Sequence, residues 1–175
     1  MRLCRLATTD DIDAIAALMA LSIAQLQTGF LSPAQIAASR AVMGLDTGLI
    51  ADETYFVVLQ GDRLVGCGGW SRRATLFGGN HSAARDERLL DPAIEPARVR
   101  AMYTHPEFAR QGIGRQILAA SEGAARQAGF RRAELAATLA GAPLYRACGW
   151  TELAAIDANV DGVLVPLIRM GKSLG

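Results

Sequence analysis

Residues Arg98–Arg115 read RVRAMYTHPEFARQGIGR, and the interpretation of this stretch decides the fold. Arg98–Thr104 has the composition of a strand. A glycine-spaced turn follows, and a helix predicted over Gln111–Gly129 begins inside it, with Ile113, Ile117, Leu118 and Ala125 on one stripe. Gly129 stands at C′ with Phe130 as its apolar follower, which closes that helix. The first N–H groups of a helix lack intrahelical acceptors, and the helix dipole adds about half a positive charge at the same end. Gly112 and Gly114 keep the approach free of Cβ atoms, and Arg110 and Arg115 add full charges. Such a terminus suits an anion, a pyrophosphate best of all. A plain structural turn would also account for the glycine pair taken alone. No G-K-[ST] follows, so this is not a Walker loop, and a dinucleotide fingerprint would need glycine or alanine where Ile117 stands.

Outward from this segment, Arg2–Leu6 suits a first edge strand, and Thr8 with Asp11 forms a capping box for a helix over about residues 9–27. Ser32-Pro33 starts a second helix, predicted to run to Met43 and stop at Gly44. Thr54–Gln60, the turn pair Gly61-Asp62 and Arg63–Arg73 read as a β-hairpin. Its Gly66, Gly68 and Gly69 mark a bulge, a close approach to the backbone, or room for a packed helix. Leu76–Pro96 reads as a long surface loop, either a substrate-facing flap or an inert insert. Downstream come a strand over Arg132–Ala137 and a short helix holding Leu144-Tyr145 and ending at Gly149. Two antiparallel strands, Trp150–Ala155 and Gly162–Met170, close the chain. The order implies an α/β fold with one mixed sheet and helices on its faces.

The chain has 175 residues, the size of a single domain spanning 1–175. At 51% hydrophobic and 20% charged residues it can build a core, and a net charge of +1 excludes the basic footprint of a dedicated nucleic-acid binder. Lys172 is the only lysine, which leaves no core candidate for a Schiff base. Cys4, Cys67 and Cys148 are far apart and form no CxxC pair, and His81 and His105 are the only histidines, so neither a disulfide framework nor a metal site is expected. The apolar stretch Ala14–Leu26 is too short for a membrane span, and the N-terminus has no secretory h-region. The expected location is the cytoplasm.

The segment YTHPEFARQGIGRQIL resembles motif A of the GNAT superfamily, the N-acetyltransferases that use acetyl-coenzyme A, and APLYRACGW at Ala142–Trp150 resembles that family's second, tyrosine-bearing segment. The N-terminal helix pair and the hairpin stand in the family's order, so the likeness spans essentially the whole chain. It implies a GNAT-like acyltransferase fold: a central, mostly antiparallel sheet with helices on both faces. It also implies acetyl-CoA as cosubstrate and no metal. The pyrophosphate would rest on Arg110, Gln111, Gly112, Ile113, Gly114 and Arg115. The pantetheine arm would pair with Met102, Tyr103 and Thr104, and the Met102 N–H would face the thioester oxygen. Tyr145 matches the tyrosine that protonates the departing thiolate, and a phenol near pKa 10 is protonated at pH 7. As a structural element it would be an aromatic core residue beside Leu144.

Two positions depart from the family pattern. Ala109 opens the glycine turn where Gln or Arg is common, and Arg98 stands where some members place a glutamate base. Arginine is no base at neutral pH. Glu107, Glu134, Glu53 and His105 are the remaining candidates, and a free-amine substrate would need none. Strand alternation puts Arg98, Arg100 and Met102 on one face, where the arginines would either meet an anionic acceptor or pair with acids of the Arg85–Glu87 loop. The expected reaction transfers acetyl to an amine of a small molecule or peptide. A non-catalytic acyl-CoA-binding sensor on the same fold is the alternative, and a nucleotide-binding domain unrelated to acyl transfer a more distant one. The terminal strands offer edges through which a homodimer could pair.

Overall fold

A computed structural model describes residues 1–82 and 85–175. Strand β1 (Arg2–Leu6) lies at an edge of the sheet, and a single 3-10 turn, Thr9–Asp11, leads into α1 (Ile12–Leu26). The capping box is present: Thr8 N–H donates to Asp11 Oδ2 at 2.8 Å. Arg5 donates to both oxygens of the same carboxylate, and these hydrogen bonds hold its pKa down to about 2. α2 (Pro33–Ser39) has its own capping box, with Ser32 Oγ accepting from Gln35 N–H at 3.2 Å. It ends at Ser39 rather than Met43. The Ser39 hydroxyl donates back to the Ile36 carbonyl at 2.7 Å, and the chain turns there through Ala41 and Val42. A further helix, α3 (Thr47–Ala51), has no periodic signature in the sequence because it is only one turn long. Asp46 caps it by accepting from Gly48 N–H at 3.0 Å.

Strands β2 (Tyr55–Gln60) and β3 (Arg63–Ser71) form the expected hairpin, and β4 (Ala97–Thr104) follows the long loop. Then come α4 (Ile113–Gln127), β5 (Arg132–Thr138) and α5 (Ala142–Ala147). The last two strands, β6 (Thr151–Val160) and β7 (Val163–Ser173), run several residues longer than their composition suggests. Asp161-Gly162 between them has φ of 49° and 86°, the left-handed pair that a tight hairpin needs, so pairing continues to Val160↔Val163.

Seven strands are ordered β1-β2-β3-β4-β5-β7-β6, antiparallel except where β4 meets β5. Helices cover both faces. Cys67 of β3 packs into a cluster with Ile15, Leu18 and Met19 of α1. Its neighbours Gly66 and Gly68 face the other way, beneath α4: a Cβ on Gly66 would lie 2.3 Å from Ile113 Cγ2, and one on Gly68 2.8 Å from Ile117 Cγ2. These glycines therefore make room for a packed helix. Gly69 answers to a different neighbour, since its Cβ would lie 2.3 Å from the Thr54 carbonyl oxygen.

Gly66→Ala forces α4 off the sheet by overpacking. It is expected to lower the unfolding free energy by roughly 1–3 kcal/mol, read as a lower midpoint in urea denaturation followed by far-ultraviolet circular dichroism. Gly123→Ala, whose Cβ meets nothing within 4 Å, is the control and should not destabilise.

Candidate active site

The site is built around a break in the sheet. β4 and β5 pair only at Ala97↔Ala133 and Arg98↔Glu134, although both strands continue for several residues. Beyond that pair they diverge, and the edges that face each other lose their partners. The divergence coincides with a bulge in β4. Cys67 pairs with Tyr103 and Gly69 with Arg100, so Ala101 and Met102 together oppose Gly68. Ala101 has a φ of 53°, a strained value for a residue with a Cβ. The buried Tyr55 holds it there, its hydroxyl donating to the Ala101 carbonyl at 2.6 Å. Gly68 has to be glycine here too, because a Cβ would lie 2.6 Å from Met102 Cγ.

The bulge overturns the expectation that Arg98, Arg100 and Met102 share a face. Met102 packs with Val58, Val65, Ile113 and Ile117 on the α4 side, whereas Ala101 and Tyr103 join the α1 cluster. The two arginines are consumed by structural pairs, though not with acids of the Arg85–Glu87 loop. Arg98 donates to Glu134 Oε2 at 3.1 Å, across the last register pair before the strands part. Arg169 of β7 donates to the same oxygen through Nε at 2.9 Å. Arg100 donates to Asp46 at 2.7 Å and to the Gly78 carbonyl at 2.7 Å, with the Arg100 and Asp46 side chains only 2% and 1% exposed. Burial lowers the pKa of Arg100 and the Asp46 charge opposes that shift, leaving a guanidinium that is still charged at neutral pH.

A cavity of about 810 Å³ occupies the space that the diverging strands open. The start of α4 forms one end. Gly112 has a φ of 84°, and a Cβ on it would meet nothing within 4 Å, so the approach to the helix amides is open. Ala109, Arg110, Gly112, Gly114 and Arg115 line the cavity, with Arg110 and Arg115 exposed. Arg2 fixes the turn from the far side, donating to the Gln111 carbonyl at 2.6 Å and to its side-chain oxygen at 2.7 Å. Gly114 is less open, since its Cβ would lie 2.7 Å from Leu144 Cδ2 of α5. Met102, Tyr103, Thr104 and Tyr145 line the middle of the same cavity. Gln111 and Ile113 are the exceptions among the predicted contacts: neither lines the cavity, the Gln111 side chain being held by Arg2 and that of Ile113 being buried against β3.

Tyr145 is 8% exposed and packs edge-on to Trp150 with ring centroids 6.1 Å apart. Its hydroxyl takes no partner from the described residues and is not sealed from solvent. Burial raises its pKa, so the phenol is a proton donor throughout the neutral range. Tyr103, by contrast, has its hydroxyl committed to the Gly44 N–H at 3.1 Å. The candidate bases do not converge here. Glu134 is held by its two arginines, Glu107 pairs with Arg63 at 2.8 Å, and His105 Nε2 lies 2.9 Å from Arg63. Neither these three nor Glu53 lines the cavity.

Asp46 is the site residue that the sequence did not single out. Asp46→Ala leaves Arg100 buried without a carboxylate, so a loss of about 3–5 kcal/mol of stability is expected. The paired change Asp46→Leu with Arg100→Met should recover most of it. Equilibrium urea unfolding of the two variants checks both statements.

The family model described as an acetyltransferase (GNAT) domain matches residues 51–152. No curated protein matches the chain at a significant level. Among solved structures, a GCN5-related N-acetyltransferase from Rhodopseudomonas palustris is 18% identical with a TM-score of 0.73, covering 99% of this chain and 96% of that one. The PaiA N-acetyltransferase of Thermoplasma acidophilum, in complex with coenzyme A, is 13% identical with a TM-score of 0.64 and covers 99% of both chains. YncA of Salmonella typhimurium, solved with its cofactor acetyl-CoA, is 17% identical with a TM-score of 0.67, covering 100% of this chain and 95% of that one. At these identities the likeness is one of fold. Among the described residues no helix is long and apolar enough to cross a membrane, and no group of three metal-ligating side chains gathers.

Proposed function

The chain belongs to the GNAT acetyltransferase family, and from that premise we propose that it transfers the acetyl group of acetyl-CoA directly to an amine. The observation that carries this reading is the single cavity running from the open amides at Gly112 to the free hydroxyl of Tyr145. The diphosphate of the coenzyme would rest on the N–H groups of Gly112, Ile113, Gly114 and Arg115, with Arg110 and Arg115 adding charge. Gln111 would act through its backbone, because Arg2 engages its side chain. The amides of the pantetheine arm would take the strand edge that β4 leaves unpaired at Met102, Tyr103 and Thr104.

The reaction needs no enzyme nucleophile. The amine nitrogen forms a bond to the acetyl carbon, and the Met102 N–H meets the charge that develops on the carbonyl oxygen. The C–S bond then breaks. The thiolate takes the proton of the Tyr145 hydroxyl, the amine nitrogen loses one proton to water, and the phenolate is reprotonated from solvent. The products are an amide and free coenzyme A.

Tyr145→Phe is expected to lower kcat by roughly 10²–10⁴-fold with little change in KM for acetyl-CoA, measured as release of free thiol across an amine panel. Because burial raises the phenol's pKa, deprotonation of Tyr145 takes away no activity as pH rises through 9 or so. A fall in that range would contradict the acid role. Tight binding of coenzyme A with no turnover on any amine would favour a non-catalytic acyl-CoA sensor. Binding of ATP in preference to coenzyme A would favour a nucleotide-binding domain.

A further inference from the structure

The cavity extends past Tyr145 into an end that no coenzyme contact needs. Leu26 at the end of α1, Phe30 and Val42 in the segments that flank α2, Phe77 of the long loop and Leu167 of β7 wall it. Its polar groups are few. No aspartate, glutamate or histidine lines the cavity among the described residues. The charged and titratable groups facing it are Arg100, Arg110, Arg115, Tyr103 and Tyr145, none of which supplies a negative charge at neutral pH. The nearby carboxylates are spent: Asp46 on Arg100 and Arg85, Glu134 on Arg98 and Arg169, Glu87 on Arg85 and Arg73. His81 also points elsewhere, its Nε2 lying 2.6 Å from the Arg40 carbonyl.

Two side chains at this end, Ser22 and Gln27, keep an oxygen without a partner among the described residues, and Gln27 carries the stronger acceptor. Gln27 is buried and lines this end. Its Nε2 reaches Ser39 Oγ at 3.4 Å and Met43 Sδ at 3.7 Å, while its Oε1 receives no hydrogen bond from the described residues. The residue thus presents a neutral acceptor to the cavity, suited to one N–H and unable to balance a full positive charge.

We propose that the acceptor is an uncharged, weakly basic amine carried on an apolar body, with one N–H received by Gln27 Oε1. An ammonium would shed its water here beside the Arg100 guanidinium and find no carboxylate. It would also have no base to deprotonate it. At pH 7 an alkylamine of pKa about 10.4 is neutral in only about one molecule in 2,500, whereas an arylamine is almost wholly neutral. The inference rests on the acetyl-transfer reading for the word acceptor, and on the chemistry of the cavity wall alone for the absence of charge.

The test separates the two. Calorimetric titration of the full chain, saturated with coenzyme A, compares the isosteric ligands 4-phenyl-1-butanol and 4-phenylbutylamine at pH 7. The alcohol is expected to bind at least tenfold more tightly, and the gap should narrow as pH approaches the amine's own pKa. Gln27→Glu should cut the alcohol's advantage tenfold or more by supplying a carboxylate. In thiol-release assays, 4-propylaniline should exceed 4-phenylbutylamine and spermidine in kcat/KM by a hundredfold or more at pH 7. Tighter binding of the ammonium to the unaltered chain, no saturable binding of either ligand, or turnover that favours spermidine would overturn the inference. Preferential binding of the alcohol with no thiol release from any amine would uphold the neutral cavity and sink the acetyl-transfer reading instead.

Discussion

The parting of β4 from β5 is the constraint on which the rest of the site depends. A sheet interior normally satisfies every backbone N–H and C=O by pairing strand to strand. Here that pairing is given up after Arg98↔Glu134, in the middle of the sheet. The cost is met locally. Tyr55 donates to the carbonyl of the strained Ala101, Gly68 leaves space for the bulged strand, and the Arg98–Glu134 bond closes the vertex where the strands separate. With these in place, α4 begins at the wide end of the opening and α5 brings Tyr145 to its side.

The fold was legible in the sequence where the signal is local. The Thr8–Asp11 box, the Ser32-Pro33 helix start, the Gly61-Asp62 hairpin and the Gly129–Phe130 helix stop are decided within a few residues, and each stands where expected. The glycine-spaced turn before α4 was legible for the same reason, since Gly112 stands at the helix start as the spacing implies. The bulge was not legible. It falls on Ala101, which gives no glycine or proline signal, and it is imposed by Tyr55 from 46 residues away. Because alternation was assumed to run unbroken through Ala101, Met102 was placed on the face of Arg100.

The buried ion pairs were hidden for a related reason. Arg100 and Asp46 meet only because α3 delivers Asp46 beneath β4, and α3 is too short to announce itself. The choice between a free Arg98–Arg100 patch and a paired one was therefore open until the topology fixed it. Both arginines went to carboxylates on other elements, Asp46 before α3 and Glu134 on β5, rather than to the acids of the long loop. The loop contributes in another way: Arg85 shares Asp46 with Arg100, and Gly78 supplies a carbonyl to it.

This pairing segregates charge along the cavity. Arg98, Arg100, Arg85, Arg73 and Arg169 are each matched to a carboxylate, while Arg110 and Arg115 make no ion pair among the described residues. The unmatched cations and the open helix amides lie at one end, and an apolar wall with Gln27 lies at the other. A long ligand with a multiply charged head and a neutral tail, bound as proposed, would be favoured in the one direction that leaves its charge near charge. On the proposed reading, the low polarity of the apolar end would also strengthen a hydrogen bond from the Met102 N–H or the Tyr145 hydroxyl, because such a bond is screened least where water and mobile charge are fewest. The arginines that look in the sequence like a surplus of positive charge are therefore mostly spent on carboxylates, which leaves the unpaired cations of the cavity beside the start of α4.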